Sequence, residues 1–145
     1  MFGGELLARM DRVACIAARR HANQIVVTAS VNHVSFEQPI PLDSIVSVSA
    51  KVSRAFKTSM EVIIDVIIED PKSTQKTRTN GAIYTFVAVD KDKKPVEVPA
   101  IDPITEEDKE RYISALRRKQ LSLVLAGRMK PSQATELKTL FYDKV

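Results

Sequence analysis

Between Leu6 and Ala17 the apolar residues return at helical intervals, with Leu6, Leu7, Met10, Val13, Ala14, Ile16 and Ala17 on one broad face. The pattern predicts a helix over residues 4–21, opened by Gly3 and Gly4. Arg19, Arg20 and His21 fall in its last turn, where cations complement the helix dipole. After it the period changes to two: Ile25, Val27, Ala29 and Val31 alternate with Val26, Thr28, Ser30 and Asn32, a strand running to Phe36. EQPIPLDS breaks the chain twice with proline. A second strand follows through Val46, Val48, Ala50 and Val52, which alternate with serines and a lysine. Residues 59–69, SMEVIIDVIIE, are apolar on both faces except at Asp65, which predicts a central strand covered on both sides. Residues 78–90, RTNGAIYTFVAVD, give a fourth strand, closed by DKDKK and followed by a short extended piece from Pro95 to Val98.

Turns this short leave no room for crossover helices, so the sheet is expected to be antiparallel. Thr105, with Asp108 three residues on, opens a second helix in which acids lead and basics gather later, ending near Ala126 at Gly127. Pro131 and Ser132 start a short third helix, QATELKTLF. A long apolar helix and a long sheet must bury each other, so the expected class is α+β, with the helix across the sheet's concave face. Residues 1–104 form the main domain and residues 105–145 a helical extension packed on it.

Composition narrows the function. At 145 residues the chain supports a sizeable core without disulfides, and its single cysteine, Cys15, reads as a small buried hydrophobe in a reducing compartment. The net charge is +4, yet the basic residues are dispersed among eighteen acids and lack interleaved aromatics, which argues against nucleic acid. A mildly basic surface suits a polyphosphate-bearing ligand equally well. No run reaches the roughly 20 apolar residues of a membrane span and no signal peptide opens the chain, so the reading is a soluble, cytoplasmic protein. His21 and His33 have no second ligand at metal spacing, and no metal is expected.

Asp11 stands apart, a carboxylate inside a helix built for burial. With FGGELLARMD at 2–11, VVTASV at 26–31, TSMEV at 58–62, FVAVD at 86–90 and VP at 98–99, the chain resembles the hotdog-fold acyl-CoA thioesterases of the acyl-CoA hydrolase type. The likeness covers about the first 100 residues. It implies a long central helix wrapped by a curved antiparallel sheet. It further implies homodimers with active sites at their interface, assembled as a trimer of dimers, and an acyl-CoA substrate. No cofactor is required, since coenzyme A belongs to substrate and product. The family's catalytic aspartate corresponds to Asp11, and related enzymes place a water-orienting hydroxyl at or near Thr28. The segment near coenzyme A corresponds to Arg54, Lys57, Thr58 and Ser59.

The chemistry fits those residue types. A thioester needs a base or nucleophile at its carbonyl carbon and positive dipoles where its oxygen becomes negative. Asp11 supplies the first. The free N–H groups of a helix N-terminus, at Gly3, Gly4 and Glu5, supply the second, and residues without a Cβ admit the ligand closely. The chain departs from the family in three places. The usual Asn-Gly pair ahead of the double glycine would fall before Met1, the glycine usual before the TSMEV basic residue is Phe56, and the customary Gly-Asp reads Leu42-Asp43-Ser44. The alternative reading is a non-catalytic acyl-CoA sensor. A hydratase on the same fold lacks its Asp-His pair here.

Overall fold

The computed structural model describes residues 3–142. Phe2, at the head of the FGGELLARMD stretch, lies outside them. Contacts divide the chain into two units that meet in sequence at Ile101 and Asp102. The first carries α1 (Gly3–Ala22), β1 (Ile25–Phe36), β2 (Ile45–Ala55), β3 (Ser59–Glu69) and β4 (Lys76–Val89). Every strand pairing is antiparallel, in the order β1-β4-β3-β2. β2, β3 and β4 follow one another through tight turns, and the first strand returns to the far edge beside β4.

α1 touches all four strands. Its buried residues are Leu6, Met10, Ala14, Ala18 and Ala22, each four after the last. Such a row advances about 40° around the helix at each step, so it turns through about 160° along α1, and only a sheet that curls around the helix can cover it. Three of the five are alanines, which lets the sheet approach the helix backbone closely. Met60, Val62, Ile64 and Val66 of β3 and Ala82, Tyr84, Phe86 and Ala88 of β4 complete the core against it.

The expectation that β3 is covered on both faces needs correction. Its helix-side residues are buried, and on the other face Ser59 and Glu61 at its start are buried too, but Ile63, Asp65 and Ile67 farther along that face are only half-buried. In the first unit the helical layer lies on one face alone, so apolar composition on both sides of the strand overstated its burial. Between β3 and β4 the backbones come close at Gly81, where a Cβ would sit 3.0 Å from the Ile64 carbonyl oxygen. A side chain there would force the strand pair to give by a few tenths of an ångström.

The chain beyond β4 is stitched back onto this layer. Asp90 Oδ1 accepts from the N–H groups of Asp92 and Lys94 at 2.8 and 2.9 Å and so closes the DKDKK turn. Val96 then donates to the Ala88 carbonyl and Val98 to that of Lys57, each at 2.9 Å. His21 Nε2 lies 2.7 Å from the Pro99 carbonyl, tying the end of α1 to the same segment.

The second unit holds α2 (Glu106–Leu125), a 3-10 turn (Pro131–Gln133) and α3 (Thr135–Tyr142). α2 opens with the expected capping box, Thr105 Oγ1 accepting from the Asp108 N–H at 3.0 Å and Asp108 Oδ2 from the Thr105 N–H at 3.2 Å. It ends before Gly127, whose φ of +73° a side chain would disfavour. The buried Gln120 caps α3, its Oε1 accepting from the N–H groups of Glu136 and Leu137 at 2.9 Å each. Among the described residues no helix is long and apolar enough to cross a membrane.

Candidate active site

Asp11 does not sit in the buried stripe of α1. It belongs to the next row, Leu7, Asp11 and Cys15, which is half-buried along the margin of the helix. A carboxylate there keeps part of its hydration while facing the sheet, which is why α1 tolerates it. Its partner is Thr28 on β1, whose Oγ1 donates to Asp11 Oδ1 at 3.0 Å.

Alternation along β1 does not foretell this meeting. Thr28 lies opposite Phe86 and Val26 opposite Ala88, both core residues of β4, so this phase of the strand looks toward α1. The register then slips between Thr28 and Ser30 and again between Asn32 and Ser35, with His33 at φ +52°. Each slip is a bulge that swaps the faces of the strand. The more apolar phase, Ile25 and Val27, points away from the helix and is 51% and 46% exposed, whereas Val31, past the first slip, lies opposite Tyr84 on the helix side and is still 42% exposed. β1 is also an edge strand, with backbone groups unpaired along its outer side.

Tyr84 went unnoticed in the sequence. It lies in the helix-facing phase of β4, is 1% exposed, and donates its hydroxyl to the Leu7 carbonyl at 3.0 Å. Burial first, and the negative charge of Asp11 second, hold its phenol above the ordinary range. The available signal was a tyrosine among aliphatic residues, since a buried phenol must find a partner for its O–H.

The first turn of α1 carries Gly3, Gly4 and Glu5. Gly4 is exposed, and the N–H groups of this turn have no acceptor within the helix. The Glu5 carboxylate is paired with Arg9 at 2.9 Å. Hydrogen bonding and the charge of that guanidinium hold it below the usual carboxylate range. Gly4 and Asp11 share a face of the helix, but seven residues of rise separate them by about 10 Å.

Lys57 and Thr58 occupy the β2–β3 turn, between Arg54 near the end of β2 and Ser59 at the start of β3. Arg54 lies over the Phe56 ring, 5.6 Å from its centroid. The turn is closed by the Phe56 N–H donating to the Ser59 carbonyl at 2.8 Å and is held to β4 by the Ala88 N–H donating to the Thr58 carbonyl at 3.0 Å. Lys57 is exposed and Arg54 and Thr58 are half-exposed, whereas Ser59 is 6% exposed. Through the register Thr28–Phe86–Met60–Ala55 this turn lies at the same end of the sheet as Thr28. A cavity of about 480 Å³ opens at the opposite end, between the loops at 38–44 and 70–79, and none of the residues singled out for chemistry lines it.

Comparison with known proteins agrees with this geometry. Residues 1–75 match the Thioesterase superfamily. Protein VdlD of Helicobacter pylori is 40% identical over 121 residues, 83% of this chain and 69% of its own. Among solved structures, a hexameric acyl-CoA thioesterase superimposes with a TM-score of 0.83 at 36% identity, over 87% of this chain and 81% of that one. An acyl-CoA hydrolase from Staphylococcus aureus, solved with butyryl coenzyme A, coenzyme A and coenzyme A disulfide, gives 0.80 at 36% identity, over 94% and 82%. That hydrolase has also been solved with single alanine replacements at an asparagine, an aspartate and a threonine, the last two 17 residues apart. A helix lying across a four-stranded antiparallel sheet, the matched first half and these neighbours together make the chain a member of the Thioesterase superfamily, of the hotdog-fold acyl-CoA hydrolase type.

Proposed function

We propose that this chain hydrolyses fatty acyl-CoA to the free acid and coenzyme A, with Asp11 acting at the thioester carbonyl. The observation that carries the reading is the Thr28 hydroxyl donating to Asp11 Oδ1 on the margin of α1. The two residues stand 17 apart, the separation of the aspartate and threonine replaced in the Staphylococcus aureus hydrolase.

The hydrogen bond from Thr28 engages one carboxylate oxygen and leaves Oδ2 for the reaction. As general base, Oδ2 takes a proton from water while the water oxygen bonds to the carbonyl carbon. The C–O π pair moves onto the oxygen, and its return breaks the C–S bond, releasing the coenzyme A thiolate, which takes up the proton. As nucleophile, Oδ2 bonds to that carbon itself, the thiolate leaves, and water cleaves the resulting anhydride. A first turnover in ¹⁸O-water separates the routes: acid formed without label requires the anhydride, opened by water at the aspartyl carbonyl.

Donors for the developing oxyanion come from the first turn of α1, at Gly4 and its neighbours. Those N–H groups lie about 10 Å along the helix from Asp11 of the same chain, farther than one directly attacked carbonyl spans. A second copy presenting its own first turn to Asp11 resolves this, and the exposed apolar edge of β1 suits such a pairing. Arg54, Lys57 and Thr58 receive the phosphates and pantetheine of coenzyme A, with Ser59 fixing the turn from beneath. Release of free thiol from a series running from acetyl-CoA to palmitoyl-CoA tests the proposal. Thiol and acid in equal amounts are expected, whereas tight binding without thiol release would make the protein an acyl-CoA-binding module instead.

A further inference from the structure

We infer that Tyr84 is a positioning residue for Asp11: its hydroxyl, by donating to the Leu7 carbonyl, fixes the turn of α1 from which the carboxylate projects. The inference rests on the reading of Asp11 given above.

In an α-helix the Leu7 carbonyl is the acceptor of Asp11's own N–H, so the Tyr84 hydroxyl is a second donor on the oxygen that anchors Asp11's backbone. Tyr84 can hold that oxygen in place because it scarcely moves itself. It is 1% exposed, and its ring stacks on Phe86 with centroids 6.2 Å apart and planes at 14°. Phe86 in turn lies opposite Thr28. One strand, β4, therefore sets both halves of the pair, Thr28 through its register and Asp11 through Leu7. The 3.0 Å bond between them would be lost if α1 slid along the sheet by much more than about half an ångström.

Packing alone does not ask for this hydroxyl. The neighbouring helix-facing residues of β4, Ala82, Phe86 and Ala88, carry no polar side-chain atom, and phenylalanine would fill the same space with no partner to find. The Asp11 charge also contributes, after burial, to holding the Tyr84 phenol above its ordinary range.

The test compares wild type, Tyr84→Phe, Asp11→Asn and a protein carrying 4-aminophenylalanine at position 84, which restores an N–H donor. Tyr84→Phe is expected to lower kcat about tenfold with KM within about twofold, because a displaced carboxylate slows chemistry without loosening coenzyme A. The 4-aminophenylalanine protein is expected to recover most of that loss, which a general loosening of the fold would not allow. Ultraviolet titration in Asp11→Asn is expected to bring the Tyr84 phenol down toward its ordinary value. Full kcat in Tyr84→Phe, with Asp11→Asn inactive, would overturn the inference and leave the Asp11 reading intact. A fully active Asp11→Asn would instead overturn that reading, and with it the role given to Tyr84. If Tyr84→Phe fails to fold, the 4-aminophenylalanine protein decides in its place: kcat within about twofold of wild type is expected, and a folded protein with kcat down about tenfold or more overturns the inference.

Discussion

Replacing Thr28 by valine keeps the β-branched shape that suits β1 and deletes the hydroxyl that donates to Asp11 Oδ1. A hydrogen bond to a charged group contributes about 1.5–3 kcal/mol, so steady-state kinetics should show kcat down by about tenfold or more, with Thr28→Ser recovering most of it. Tyr84 makes a different prediction, on stability. Its folded phenol lies above the ordinary tyrosine value of about 10, so the unfolded chain loses this proton first as pH climbs. The stabilising contribution is whole below about pH 10 and disappears as pH rises through the folded value. Alkaline unfolding followed by circular dichroism should therefore be less steep in Tyr84→Phe. At this scale the sequence was uneven in what it revealed. Asp11 announced itself as a charge in an apolar run, whereas the partner of Tyr84 is a backbone carbonyl 77 residues away, which no local pattern encodes.

Elements whose side chains keep a single period could be read from the sequence. α1, β3 and β4 were predicted within two residues of their ends, and Thr105 marks the start of α2 because capping is a local chemistry. β1 could be found but not oriented. Its two bulges each swap the faces of the strand, so counting by twos assigns the wrong faces between Ser30 and Asn32. The same logic of local geometry gives two predictions. Thr105→Ala removes the capping box and should cost α2 about 1 kcal/mol, read by the amide exchange of its first turn. Gly81→Ala places a methyl 3.0 Å from the Ile64 carbonyl between two central strands and should cost about 1–3 kcal/mol in denaturant unfolding.

For the molecule as a whole, the pattern showed an antiparallel sheet covered by one helix but not its strand order. The connection through EQPIPLDS separates β1 from β2, and β1 finds β4 instead by a return that only tertiary packing decides. The exposed pair Ile25 and Val27, on the face of β1 turned away from α1, and the distance from Gly4 to Asp11 both point beyond one chain. Val27→Lys should leave the circular dichroism unchanged, reduce the assembled mass in analytical ultracentrifugation and lower activity with it, since a charge on an edge strand blocks pairing. The proposed chemistry converges on one carboxylate, and single-turnover thiol release by Asp11→Asn, matched to wild type in fold and assembled mass, probes it most directly. The expected result is a rate lower by about 10³-fold with coenzyme A affinity retained. A variant that releases thiol at the wild-type rate would contradict it.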